Sequence, residues 1–307
     1  MQISGGVTLS GGVNFAPGSG GGSSTPSLTY GFNAAGEGTG TPSSNIIDKF
    51  AFASLGNATD VGDLSTALKS RSSSSSSTSG YLAGGTGAPS LTTIIQKFSF
   101  TTDGNGSLVG NLSVTPGGAG AGNSSLTDGY THGGDPTNSN IQKMSFASES
   151  GGTTVAYIMS ARRQHVGQNS STHGYLAGGN QDPGNLSRIE KYPFASDDNS
   201  TNVGDLTTTR DWSSGQSSSD HGYISGGTSL SSIEKFTFSA DNDSTSVANL
   251  SSNNRSRAGV YSATDGYACG GIPYTSSIDQ FPFSSDSNAS SVGDLTLSRG
   301  EHGGFQG

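Results

Sequence analysis

HGYLAGGNQDPGNLSRIEKYPFASDDNSTNVGDLTTTRDWSSGQSSSD, residues 173–220, is one copy of a unit that the chain spells six times. Each copy opens on a Gly-aromatic phrase closed by Gly-Gly, or by Ala35-Gly36 in the first, and continues with Ile-x-Lys-aromatic-x-Phe or a close variant. It then turns at Asp and Asn and ends near Val-Gly-Asp-Leu. The opening aromatics are Phe32, Tyr81, Tyr130, Tyr175, Tyr223 and Tyr267, spaced 44 to 49 residues apart. That period fits either propeller blades or helical pairs. Helical pairs need long stripes of 3.6-residue period, whereas these apolar runs are short, rich in Ile, Val, Phe and Tyr, and broken by Gly, Ser, Asn and Asp. The repeat therefore predicts an all-β propeller of six blades.

Within the quoted copy, Tyr175 to Ala177 reads as a strand stopped by Gly178 and Gly179, whose backbone freedom permits a sharp turn beside a neighbouring blade. Asn180 to Leu186 is a polar loop. Ile189 to Phe194 alternates, with Glu190, Tyr192 and Phe194 on one face and Ile189, Lys191 and Pro193 on the other. Both faces carry bulk, as a sheet packed between two others requires. Asp197, Asp198 and Asn199 turn the chain into a third strand around Val203 to Leu206. Beyond Arg210, the small residues Ser213 to Ser218 read as the innermost strand, where blades converge.

Gly178, Gly179, Tyr192 and Arg210 carry a resemblance to the kelch repeat: a Gly-Gly doublet, an aromatic on the next strand, and an Arg before the strand that opens the following blade. Val203 and Leu206 stand where a kelch tryptophan is expected, and Trp212 falls later, in the loop. The resemblance is thus kelch-like and implies a six-bladed kelch-like β-propeller. The wording GYxxGG, IxKFxF and SDxNxTxVGDLxxxR, over about residues 30–307, also resembles repeat-rich proteins encoded by marine tailed bacteriophages. That second resemblance implies a virion structural or fibre-associated protein at the extracellular surface of a phage particle.

The last copy runs through Ile278 to Phe283, Val292 to Leu295 and Arg299, and residues 300–307 then fall in the innermost-strand register. The first copy begins at Gly31-Phe32 without such a strand. A C-terminal strand that completes the first blade would close the ring and remove two exposed edges; Ser23 to Leu28 is the alternative. Residues 1–29 form a separate N-terminal tether or docking segment before the propeller of residues 30–307. It holds two Ser-Gly-Gly-Val phrases and the flexible linker PGSGGGSS. Val7, Leu9, Val13 and Phe15 are its candidate subunit-docking residues, by strand addition; folding back on the propeller is the other reading.

Only 29% of residues are hydrophobic and 12% charged, with 49 Gly, a balance that alone suggests disorder. The regular strand signals overrule it. A net charge of -9 with 14 scattered Lys and Arg argues against a nucleic-acid partner and against an anionic membrane surface. No apolar run nears the roughly 20 residues that span a bilayer, so no membrane insertion is expected, and no secretory leader is legible. The one cysteine, Cys269, reads as a small buried strand residue.

Catalytic groups do not converge in the repeat: there is no HExxH, no paired metal-ligand spacing and no nucleophile elbow. His173 and His221 share a slot with Ser79, Asp128 and Asp265, which marks a turn hydrogen-bonding position. The glycine clusters lack the Lys and following helix of a phosphate loop. The turns at Asp241-Asn242-Asp243 and Asp286-Ser287-Asn288 lack a bidentate Glu, which favours turn chemistry over calcium. No catalytic residue, metal or cofactor is expected. Arg162, Arg210 and Arg299 recur before the innermost strand, where strand-end carbonyls or a carboxylate such as Asp205 or Asp294 could be tied.

Function is then expected where the copies differ. The loops after the Gly-Gly doublet and before the innermost strand should share one face. Trp212, Tyr274, Asn180, Asp182, Arg163 and His165 are accordingly the candidate ligand-binding residues. Trp212 either offers a ring on which a sugar stacks or packs over Arg210 or a subunit contact. The expectation is a non-enzymatic phage virion module, a fibre, spike or decoration protein, whose partners are other virion subunits and a host-surface glycan. A carbohydrate-binding propeller lectin is the alternative; a glycan-active enzyme would need paired carboxylates that the repeat lacks.

Overall fold

A sheet with bulk on both faces has to be covered twice, and six such sheets arranged radially cover one another. The computed structural model describes residues 28–87 and 90–307. Val7, Leu9, Val13, Phe15 and the linker that follows them lie outside the described residues. Six four-stranded antiparallel sheets form a six-bladed β-propeller, and no helix occurs among the described residues. Blade 4 shows the pattern in sequence order from axis to rim: Val166–Asn169, His173–Ala177, Arg188–Pro193 and Thr201–Asp205. Blade 1 is assembled from both ends of the described chain. Its strands Tyr30–Ala34, Ser44–Ala51 and Thr59–Leu68 are completed at the axis by Gly303–Gln306, with Phe32 opposite Phe305. The ring is therefore closed by the C-terminal strand, as the missing first inner strand implied.

The repeated words turn out to be contacts within and between blades. The Gly before each opening aromatic makes room inside its own blade: a Cβ on Gly31, Gly174, Gly222 or Gly266 would lie 2.3 to 2.6 Å from the ring of Phe50, Tyr192, Phe236 or Phe281. The opening aromatic itself reaches the last Phe of the following blade. Phe32 meets Phe100, Tyr81 meets Phe146, Tyr130 meets Phe194, Tyr175 meets Phe238, Tyr223 meets Phe283, and Tyr267 meets Phe52 across the closing seam. Ring centroids are 4.6 to 5.1 Å apart, and such pairs contribute about 0.5–1.5 kcal/mol each beyond burial.

Polar residues repeat the same cross-blade logic. Lys49, Lys97, Lys143, Lys191 and Lys235 pair with Asp103, Glu149, Asp197, Asp241 and Asp286 in the turn of the next blade. At the sixth seam Gln280 and Leu55 hold these two positions, so charge is dropped from both sides together. The Asp/Asn turns also cap the neighbouring blade. Side chains of Asn57, Asn105, Asn199, Asp243 and Asn288 accept N–H bonds of 2.9 to 3.1 Å from the outermost stretch of the preceding blade.

Toward the axis, space decides everything. A Cβ on Gly122, Gly167, Gly215, Gly259 or Gly304 would lie 2.0 to 2.4 Å from the carbonyl oxygen of the preceding inner strand. Gly259→Ala places its methyl group 2.0 Å from the Gly215 oxygen. We expect it to destabilise the propeller by about 1–3 kcal/mol or more, read as a lower urea midpoint. Gly184→Ala, with nothing within 4 Å, should leave that midpoint unchanged.

Candidate functional site: the axial funnel

The loop after each Gly-Gly doublet bonds to the loop before the innermost strand of the same blade, which puts both on one face. The bridges are Lys69 with Thr86, Gly118 with Asp135, Arg163 with Asn180, Arg255 with Ile272, and Glu37 with Gly300. In blade 5 the Thr228 N–H donates to the Asp211 carbonyl at 3.2 Å. Just inside these bridges stand Ser70, Ala119, Gln164, Trp212, Ser256 and Glu301, one per blade, all left-handed with φ between 51° and 60°. Each donates its N–H to the carbonyl of its counterpart in the preceding blade. The six bonds, 2.7 to 3.1 Å long, run from Ser70 to Glu301, Ser256, Trp212, Gln164, Ala119 and back to Ser70. Non-glycine residues rarely adopt this conformation, and such strain gathers at functional sites.

This ring frames the mouth of a cavity of about 140 Å³ on the axis. The next residue of each blade, Arg71, Gly120, His165, Ser213, Arg257 or His302, forms the wall, and the cavity reaches down to the inner-strand glycines. Trp212 is half-buried at the mouth. Glu301 accepts from the Ser70 hydroxyl, and burial pushes its carboxyl up. Beside it Lys69 pairs with Glu37.

The six expected ligand-binding residues divide into three groups. Trp212 and His165 line the funnel. Arg163, Asn180 and Asp182 form a rim cluster beside Gln164, with Arg163 paired to Asp182 at 3.1 Å and to Asp135 at 3.0 Å. Tyr274, 37% exposed, lies across the mouth from that cluster, near Glu37. His165 does not project as expected. It is 4% exposed, and its Nε2 lies 2.9 Å from His132 Nδ1, in a chain that continues through Asn123 to the Tyr192 hydroxyl. Burial, with Arg162 nearby, pushes His132 down to about 3 and His165 well below its ordinary value. Burial and Arg299 do the same to His302.

The recurring arginines meet carboxylates other than Asp205 and Asp294, which instead accept from Ser187 and Ser276. Arg162 pairs with Glu190, Arg210 with Glu234 and Arg299 with Asp48, all fully buried. Asn254 stands in the arginine register of the link before the inner strand Ala258–Tyr261, and Arg257, three residues on, reaches Asp279 in its place at 3.2 Å. These acids are the x of Ile-x-Lys, a position read at first only for its face of the strand. In the other two blades x is Gln96 or Gln142, and in all six it accepts a backbone N–H from the preceding blade. The left-handed ring and Arg71 were also missed; the Ser-Arg pair shared by Ser70-Arg71 and Ser256-Arg257 was a visible sign.

His173 and His221 lie in hairpin turns, where their carbonyls accept from the Ser170 and Ser218 N–H groups. Among the described residues no group of three or more His, Cys, Asp or Glu converges on a metal position. Cys269 is buried and its thiol is pushed up to about 12, which suits packing and not nucleophilic chemistry. Compared with known proteins, the chain matches no family model and no curated protein.

The buried histidines give a pH dependence. Unfolded histidine titrates near 6.5, while His132, His165 and His302 stay neutral in the fold. The unfolded chain therefore binds more protons below about pH 6.5, and stability falls as pH falls, by up to about 1.4 kcal/mol per pH unit per histidine. For His132 the decline ends near 3. Urea midpoints measured on both sides of about pH 6.5 should drop on the acid side, and His302→Gln should lessen the drop.

Proposed function

We propose that the protein is a non-enzymatic adhesion or structural module of a phage virion, built of kelch-like repeats, that presents the funnel face to a host-surface glycan. The observation that carries this reading is the left-handed ring. The fold holds one residue per blade in the same conformation around the axis, yet fills the ring with Ser, Ala, Gln, Trp, Ser and Glu. The repeat's other regular features are absorbed by blade contacts; these side chains vary at the mouth of a cavity. Trp212 supplies a stacking ring, and Gln164, Ser70 and Ser256 supply partners for hydroxyl groups. The virion setting rests on the wording of the repeats.

A non-catalytic role fits the titratable groups of the funnel. His165 and His302 are held neutral far from working pH, and Glu301 is tied to Ser70, so no acid and base are poised together. A propeller lectin shares the same face and the same stacking residue.

On a glycan array, the wild-type protein is expected to select a limited set of sugars, and Trp212→Ala to weaken that binding at least about tenfold with an unchanged urea midpoint. Unchanged binding would remove the funnel from the reading. Deletion of residues 1–29 should abolish incorporation into particles; normal incorporation would refute the tether. Hydrolysis of host polysaccharide by the purified chain would overturn the non-enzymatic assignment.

A further inference from the structure

We propose that the axial funnel is a binding site for a small anion, a carboxylate or a tetrahedral oxyanion, held by the guanidinium of Arg71. Arg71 lines the cavity and is only 8% exposed. Among the described residues, none of its three side-chain nitrogens has a hydrogen-bond partner, and it belongs to no ion pair. A buried cation without a partner is strongly disfavoured, and arginine does not readily escape by losing its proton. Five donors in a planar fork suit an oxyanion.

The repeat shows why this arginine differs from the others. Arg71 and Arg257 each follow the left-handed residue of their link. Arg257 meets Asp279 at 3.2 Å and donates to the Ala268 carbonyl. In the blade of Arg71 the register of Asp279 is held by Gln96, a neutral amide whose oxygen already accepts from Ser65 and Thr66. Burial is the sole influence on the Arg71 guanidinium, bringing it down to about 9, and no carboxylate opposes the effect. Glu301, at the mouth, is bonded to Ser70 instead.

The surroundings fit an anion. His165 and His302 on the wall are neutral, Arg257 adds a second guanidinium, and the charge of Arg257 is already matched by Asp279. The cavity of about 140 Å³ far exceeds the roughly 10–15 Å³ that one water requires. An uncompensated guanidinium within a chain of net charge -9 also attracts an anion to the axis. This inference does not depend on the glycan reading, because inorganic anions alone satisfy it.

The test is calorimetric titration and thermal unfolding of the full chain in a low-anion buffer, with sulfate, phosphate, glucuronate and neutral glucose as probes. Wild type is expected to bind at least one of the anions saturably and to gain melting temperature with it. Gln96→Glu supplies an internal counter-charge in the register of Asp279 without removing the arginine, and should weaken anion binding at least about tenfold while raising the anion-free melting temperature. Arg71→Gln should abolish the binding, and Trp212→Ala should leave sulfate binding intact. Sulfate or phosphate binding identifies a free inorganic anion as sufficient; tighter binding of glucuronate than of both sulfate and glucose identifies an acidic sugar. Absence of saturable anion binding in wild type would overturn the proposal, as would binding unchanged in Gln96→Glu.

Discussion

The closed circuit of six backbone hydrogen bonds at the axis is the constraint on which the rest of the molecule depends. An N–H of every blade has to find the carbonyl of the blade before it, and the circuit through Ser70, Glu301, Ser256, Trp212, Gln164 and Ala119 leaves none of these donors unmatched. The geometry requires a left-handed residue at each step. That conformation in turn sets where the next side chain lies, so Arg71, His165, Arg257 and His302 all become wall residues of one cavity. The placement of the mouth ring and of the wall residues beneath it thus follows from a single backbone requirement.

Outward from the axis, successive layers of the blade interface use different physics for the same purpose. Glycine backbones interlock at the inner strands, arginines and carboxylates meet in the buried zone, aromatic rings stack in the apolar zone, and Lys–carboxylate pairs lie toward the surface. The buried ion pairs carry much of the specificity, since an unmatched member is far more harmful than a matched pair is helpful. At the closing seam the surface pair is likewise absent on both sides, with Gln280 and Leu55 where other seams have a Lys and an acid. Arg71 is the exception: its charge was kept in a blade whose x position is neutral.

The blade count, the strands and the role of the last strand were legible in the sequence because period and alternation are local signals. The Gly-aromatic phrase announced a strand, although its reason, the seat of Phe50 or Tyr192 against Gly31 or Gly174, is a packing fact visible only in three dimensions. Trp212 was legible as unusual because it is the sole tryptophan. The burial of His165 was not legible, because its neighbour His132 lies in another blade and no spacing rule links them. The x of Ile-x-Lys could have been found in part: Asp48, Glu190 and Glu234 occur in the blades whose preceding link places Arg299, Arg162 or Arg210 in one register, and Gln96 and Gln142 where that register holds no arginine, while Asp279 departs because Arg257 serves it from another position.

Blade 1 has a consequence for the order of synthesis. Its inner strand, Gly303–Gln306, emerges from the ribosome 235 residues after the last of the outer three strands ends at Leu68, so blades 2 to 6 can pair internally while the first waits with a bare edge. The nascent chain is a growing arc until those last residues arrive. Phe305 then fills its place beside Phe98 and becomes fully buried, and a translation product that stops short of it lacks the strand that turns the arc into a ring.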